Sequence, residues 1–394
     1  LNLVPPMDLP IGDGQAIIAL KNCPYSLNEL YMGINSCDPY NRPFNYPHLV
    51  YYLSKIFLIF PYRMYLILGS TLYLIGVKKF IKIISENFKL FNSSYLLNFF
   101  QISFLFNYPL MLCIERGNYE LFIISLFLYS NIELFNPNRR KQFFAIFLLT
   151  FGGLLKLYPV FSLIGINLYN IFFNKLISLK KIIKNLLLPF FIVLTITPSL
   201  KYIISNTPKT QGGLGFGFLC IYQDELGKYS FLFLVIKLII IFLIAVFSRL
   251  SFHQLKEKIK RNSVINRIFV LNAFSFICIY FLSRSYDYRL SFFIPLLPLT
   301  LYFIENIHFK IKYINFKLDY SVIFITLFTM IFFIDGYLAL ASWPPSTMNI
   351  FAAIFRVITD FFIQPIFIGL ILNILYSIFK ELIALKEPKL KLFN

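Results

Sequence analysis

Apolar runs of about 20 residues, the length a helix needs to cross a bilayer, recur along the chain and alternate with short polar segments. Membrane spans are expected at about 62–82, 94–113, 119–135, 184–203, 229–248, 267–283, 289–305, 320–340 and 350–378. An apolar stretch near 49–60, ended by Pro61, is too short to span and is expected at the interface. The run at 142–173 carries Lys156-Leu157-Tyr158-Pro159 at its centre and is flanked by Arg139 to Lys141 and by Lys175, Lys180, Lys181 and Lys184. Basic flanks on both sides place entry and exit on one face, and proline lacks a backbone donor. Two half-helices are therefore expected, as a re-entrant hairpin or a tight helical pair buried in protein. No repeat, low-complexity block or second soluble domain is visible. The expected fold is an all-α polytopic membrane bundle of about nine spans, arranged as one domain over 1–394. Within it, 1–61 is an outer loop with its interfacial helix, 62–378 the bundle and 379–394 an inner tail. Because Leu1 opens directly into a polar loop, a further span is expected to precede it.

Composition agrees with that pattern. Hydrophobic residues make up 58% of the chain and charged residues 14%, with a mean hydropathy of +0.71, more apolar surface than a soluble domain needs. A net charge of +19 raises the question of nucleic acid. The distribution argues against it, because Lys and Arg sit mainly in short loops, where they set orientation. Lys78, Lys79, Lys82, Lys89, Arg249, Lys256, Lys258, Lys260, Arg261, Arg267, Lys310, Lys312, Lys317, Lys386, Lys389 and Lys391 then fall inside. Asp8, Asp38, Arg42, Glu115, Arg116, Asp224, Arg284, Asp287 and Arg289 all fall outside. That convergence was not imposed by counting basic residues. It predicts a site at the outer membrane surface.

Each polar cluster has a chemical reading and a bland one. An acid in the outer loop (Asp8, Asp13) can take a proton from a hydroxyl, or can simply be turn chemistry among Gly and Pro. Cys23 and Cys37 are spaced to close a short disulfide, which would persist outside the cytoplasm; the alternative is two free thiols. Cys113, Cys220 and Cys278 would stay unpaired, and three His with no paired Cys/His spacing give no expectation of zinc. Arg116 in Glu115-Arg116-Gly117-Asn118 can grip a phosphate, or the Glu–Arg pair can close a helical hairpin. Lys156 has either a buried partner, an acid or a lipid phosphate, or snorkels to the interface. Arg284-Ser285-Tyr286-Asp287-Tyr288-Arg289 offers two guanidinium groups and two rings, more than a chain reversal requires. Gln211 to Gly217 is glycine-rich but lacks the GxxxxGK[ST] order, so a lid or a packing loop is expected there.

Taken in order, the Asp-bearing first loop, Phe44-Asn45-Tyr46-Pro47 before an interfacial helix, Arg116-Gly117-Asn118, Lys156-Leu157-Tyr158-Pro159 and Asp287-Tyr288-Arg289 resemble the GT-C superfamily of membrane glycosyltransferases. The chain looks most like its bacterial polyprenyl-phosphate-mannose-dependent branch. The resemblance implies transfer of a sugar from a polyprenyl-phosphate donor, without a nucleotide sugar, cofactor or metal, to a lipid or glycan acceptor. It implies a bacterial inner membrane, with the site on the extracytoplasmic side and membrane lipids, not nucleic acid, as partners. Asp8 best matches the family's general base, with Asp13 the second choice. Arg284 and Arg289, with Arg116 or Lys156, would neutralise the leaving phosphate. Arg42, Asn118, Tyr158, Asp287 and Tyr288 would complete the substrate contacts, Tyr286 and Tyr288 packing on sugar or prenyl chain. The competing readings are a lipid-linked sugar flippase or other secondary transporter, favoured by a broken helix with a central Lys, and a non-catalytic membrane scaffold.

Overall fold

The structure, a computed structural model, describes residues 12–33, 35–39, 41–57, 62–87, 94–116, 118–173, 179–206, 215–216, 230–247, 252–261, 263–282, 285–304, 308–310, 317–335, 354–355 and 357–384. Helices dominate: α1 (Gly12–Ala19), α2 (Leu27–Tyr31), α3 (His48–Phe57), α4 (Tyr62–Asn87), α5 (Ser94–Leu105), α6 (Tyr108–Glu115), α7 (Glu120–Glu133), α8 (Arg139–Leu155), α9 (Tyr158–Phe173) and α10 (Leu179–Asn206). They continue as α11 (Ser230–Phe247), α12 (Phe252–Arg261), α13 (Ser263–Leu282), α14 (Leu296–Ile304), α15 (Tyr320–Thr329) and α16 (Gln364–Ala384). Among the described residues, two helices are long and apolar enough to cross a membrane, Val264–Phe281 and Thr359–Ala384. Asn98–Ile114, Tyr158–Phe172, Leu187–Ile203 and Phe231–Val246 are shorter apolar helical stretches.

The chain divides into two compact units, each discontinuous in sequence. The first gathers Leu1–Ile83, Leu110–Ile164 and Leu179–Lys209. Here α7 packs along α8, and α8 also meets α10. The expected break in 142–173 lies at Lys156–Leu157, between α8 and α9. A proline ring clashes with the carbonyl four residues earlier, and for Pro159 that is Leu155, the last residue of α8. Lys156 is accordingly extended (φ −154°, ψ 131°). The chain closes tightly over this break: a Cβ on Gly153 would stand 2.6 Å from Val160 Cγ2, so only glycine fits. At the other end of the helix pair, Lys79 Nζ reaches Glu133 Oε1 at 2.6 Å, lies 4.1 Å from the Tyr129 ring centroid, and Asn136 Nδ2 donates to Glu133 Oε2 at 2.8 Å. Lys79, placed in an inner loop by its charge, is thus part of α4 and tied to α7.

The second unit gathers Ile84–Pro109, Gly165–Ser178 and Thr210–Asn394. α11 lies along α16, and a Cβ on Gly369 would come within 2.7 Å of Ile244 Cβ and 2.9 Å of the Ile241 carbonyl, so the two backbones meet as small-residue contacts allow. Asn373 Nδ2 donates to the Ala245 carbonyl at 2.7 Å, bridging the same pair. α13 and α14 bury Phe269, Leu271, Tyr280, Leu296, Leu299 and Phe303.

Several expectations are corrected. The span at 94–113 is interrupted at Phe106–Asn107: Asn107 Nδ2 takes the carbonyls of Ser103 (2.9 Å) and Phe104 (3.3 Å), ending α5. Pro109 then falls in the first turn of α6, where no backbone donor is needed. The stretch 289–305 is no single helix. It runs as a 3₁₀ turn over Asp287–Phe292 and continues through i→i+3 bonds such as Leu290 carbonyl to Phe293 N–H (2.8 Å) and Phe293 carbonyl to Leu296 N–H (2.8 Å). Pro295 lacks the N–H that an α-helix would donate to the carbonyl four residues earlier, at Ser291. The fold is helical as expected, with two short ladders beside the helices: Gly215–Phe216 (β1) pairs antiparallel with Ser285–Tyr286 (β2), and His308–Lys310 (β3) with Lys317–Asp319 (β4). Ladders of two and three residues are too short for alternation to announce them. Two π-helical turns, Met330–Asp335 and Thr359–Ile363, end one apolar run and begin another. The last helix, α16, continues to Ala384, past the apolar run expected to end near 378.

Candidate functional site

In the first unit the segment preceding α4 is a built structure. Cys23 and Cys37 are bonded, with Cα atoms 5.8 Å apart. Lys55, on α3, donates to the carbonyls of Cys23 (2.9 Å) and Lys21 (3.2 Å), and Tyr51 O–H donates to the Tyr25 carbonyl at 3.3 Å. The amphipathic α3 therefore lies against the disulfide-closed loop. α2 carries a capping box: Ser26 Oγ accepts from Glu29 N–H (3.4 Å) while Glu29 Oε2 accepts from Ser26 N–H (2.7 Å). The Ser26 side-chain hydrogen bond, with the backbone one, holds the Glu29 carboxyl below its usual range. Arg42 pairs with Asp38, Nη2 to Oδ2 at 3.2 Å, across a turn in which Asn41 adopts φ 52°. The guanidinium is engaged by its own loop.

Breaking the disulfide releases a loop of 14-residue separation, a constraint worth about 3 kcal/mol in the chain-entropy account. Cys37→Ser is expected to lower the unfolding temperature in detergent and to expose 24–36 to protease. Reductant should produce the same shift in wild type and none in the variant.

The end of α10 closes over this loop. Asn206 Nδ2 donates to the carbonyls of Tyr31 (2.8 Å) and Phe44 (3.1 Å), Tyr202 stacks on Tyr31 with centroids 4.8 Å apart, and His48 Nδ1 sits 2.9 Å from Ser199 Oγ. Tyr31 O–H donates to the Tyr46 carbonyl at 2.7 Å, and burial pushes its phenol above the ordinary value.

Tyr46 leads to the charged centre. Lys156 Nζ pairs with Glu120 Oε1, the two side chains being 11% and 0% exposed. The ammonium lies 4.9 Å from the Tyr119 ring centroid and 5.7 Å from that of Tyr46, and those rings meet edge-on at 5.4 Å. Glu120 opens α7, where the helix dipole favours a carboxylate. Tyr119 O–H donates to the Leu155 carbonyl at the end of α8 (3.4 Å). The buried acid partner of Lys156 is thus Glu120, a residue sequence reasoning passed over. Asn118 Oδ1 accepts from Glu120 N–H at 3.0 Å, forming the turn that begins α7. Arg116 is buried, and its carbonyl accepts from Gly14 N–H at 3.4 Å. That bond sets the start of α1, whose second residue is Asp13, against the Arg116–Asn118 turn. Tyr158 opens α9 directly after the break.

In the second unit, β1 pairs Gly215 with Tyr286 and Phe216 with Ser285, bringing part of the glycine-rich segment to the Asp287–Arg289 turn. Asp287 and Tyr288 lie in the 3₁₀ segment, and Arg289 is buried. Asp8 and Arg284 lie outside the described residues. Polar groups missed in sequence also gather in this unit. Lys237, within α11, is fully buried, and Asp360 and Gln364 are buried; Gln364 Nε2 donates to Asp360 Oδ1 at 2.6 Å. A lone Lys inside Leu234–Phe242 and an Asp inside Val357–Ile363 were the available signals. Among the described residues, no group of three His, Cys, Asp or Glu side chains could hold a metal ion. No family model, curated protein or solved structure matches the chain.

Proposed function

We propose that this chain is an integral-membrane glycosyltransferase of about nine spans that moves a sugar, mannose or similar, from a polyprenyl-phosphate donor to a lipid or glycan acceptor on the extracytoplasmic face of a bacterial inner membrane. The observation that carries the reading is the Gly14–Arg116 hydrogen bond, which sets an acid-bearing helix start against a turn holding a buried guanidinium. Membrane residence is supported by large apolar side chains left exposed on helix faces: Phe143 (74%) and Phe147 on α8, Phe190 and Phe191 on α10, Phe231 (74%) and Phe242 on α11. Such surfaces are costly in water and ordinary against lipid.

The chemistry balances without a further reactant. An Asp carboxylate takes the proton of the acceptor hydroxyl, and the freed oxygen attacks the anomeric carbon from the face opposite the phosphate. The carbon–oxygen bond to phosphate breaks, and polyprenyl phosphate leaves with the electron pair, giving inversion. Phosphate is already a good leaving group, so positioned cations and alignment supply the remainder.

The test offers the full chain in detergent a panel of polyprenyl-phosphate sugars and nucleotide sugars with lipid and glycan acceptors. Transfer from the prenyl donors alone is the expected result. Donor binding without transfer from any of them would replace the reading with a flippase or other secondary transporter, which the interruptions at 106–107 and 156–157 also suit.

A further inference from the structure

In the second unit, the short amphipathic helix α12 (Phe252–Arg261) stands between two apolar ones, α11 and α13. It carries Lys256, Lys258, Lys260 and Arg261 against one acid, Glu257. Leu255 and Ile259 form its buried side, and the helix packs against α16, α13 and α14. Two hydrogen bonds fix it further. Lys258 Nζ donates to the Tyr302 carbonyl of α14 at 2.6 Å, and Asn266 Nδ2, on α13, donates to the Ile259 carbonyl at 2.7 Å. Lys258 is therefore committed to holding the helix. Lys256 is half-buried and Glu257 exposed.

One residue, Asn262, separates α12 from α13, which contains Val264–Phe281, a stretch long and apolar enough to cross a membrane. A span that begins there puts the residues just before it at a bilayer surface. A free interfacial helix sinks its apolar side into lipid. α12 instead has that side buried in its own protein, so the helix is held in place before any lipid arrives. Lys256 and Lys260 are one helical turn apart and follow one line along it, and Arg261 stands one position on. Basic residues grouped beside the end of a membrane helix attract the phosphates of anionic headgroups, which lie in the same plane.

We propose that α12 is a docking surface for the anionic headgroups of bilayer phospholipids, with Lys256, Lys260 and Arg261 as its phosphate-binding positions. Charge complementarity identifies the partner. Three basic positions against one acid favour an anionic over a zwitterionic headgroup, and the surface lies where headgroups are concentrated. The inference rests on the membrane residence in the proposed function and not on sugar transfer: its ligand is the surrounding lipid and no substrate.

The test reads lipid adducts on the full chain in detergent by native mass spectrometry, with phosphatidylglycerol offered against phosphatidylcholine of the same acyl chains. Wild type should retain phosphatidylglycerol in preference, and the preference should shrink as salt is raised. Lys256→Gln should lower phosphatidylglycerol affinity about fivefold, the effect of one basic residue at a membrane surface, and Lys256→Arg should retain it. The triple variant Lys256→Gln, Lys260→Gln, Arg261→Gln should remove the preference and leave phosphatidylcholine unchanged. Arg139, Arg140 and Lys141, exposed at the start of α8, supply the control: their triple Gln variant should keep the preference. Equal loss in both triples overturns the surface and reduces the effect to net charge; no loss in the α12 triple overturns it outright. A single-stranded oligonucleotide bound at physiological salt, and lost in the α12 triple, would overturn it by making the partner nucleic acid. If the α12 triple does not fold, Lys256→Gln against Lys256→Arg decides by the same comparison. Lost lipid preference with sugar transfer intact strikes this surface alone, and a kept preference with no transfer strikes the glycosyltransferase reading alone.

Discussion

Asp8→Asn is expected to abolish sugar transfer with folding intact. The substitution keeps the shape of the side chain and removes its basicity, and general acid–base catalysis contributes roughly 10²–10⁴-fold. The fall should appear in kcat, with donor KM little changed, because the base acts on the acceptor hydroxyl. Asp13→Asn is the paired measurement. The start of α1, whose second residue is Asp13, is set against the Arg116 turn through the Gly14 backbone, so Asp13 is the alternative base to test. Activity of Asp8→Asn above about a tenth of wild type, with Asp13→Asn inactive, would move the base to Asp13, since losing a true base costs far more than tenfold.

Lys156→Ala is expected to lower stability in detergent by about 3–5 kcal/mol, the cost of leaving a buried charge without its partner. Glu120 is 0% exposed, so it has no water to turn to. Replacing both, as Lys156→Met with Glu120→Leu, should recover most of that loss, because two apolar groups of similar volume leave nothing buried and charged. Thermal unfolding of the two singles and the double reads the coupling directly. If Lys156 instead holds donor phosphate, Lys156→Ala would weaken donor binding with little change in unfolding temperature, and the double variant would not recover it.

Much of the helix pattern was legible from hydropathy. The apolar runs near 62–82, 119–135, 184–203, 229–248 and 267–283 coincide with α4, α7, α10, α11 and α13, and the interruption at Lys156 follows from Pro159 and the carbonyl it displaces. The helical stretch His48–Phe57 likewise answers to the short apolar segment before Pro61. Elsewhere local signals were overridden. Asn107, one polar residue within the expected span at 94–113, donates to two carbonyls and stops α5.

The roles of the charged residues were less legible, because they depend on pairings distant in sequence. Glu120 is 36 positions from Lys156, and nothing near either names the other. Arg42, expected at substrate, faces Asp38 four residues away, and Asn118 is committed to the turn opening α7. Lys237 and Asp360 sit on separate helices, and each alone is a single charge in grease. Hydropathy period and proline position act within a few residues, so the chain by itself determined where helices form and where several of them stop. The Cys23–Cys37 bridge, expected from their spacing, is formed, whereas tertiary structure alone decided that Glu120 neutralises Lys156 and that Gly215 reaches Tyr286. Those contacts form only when packing brings remote segments together, and no local propensity encodes that meeting.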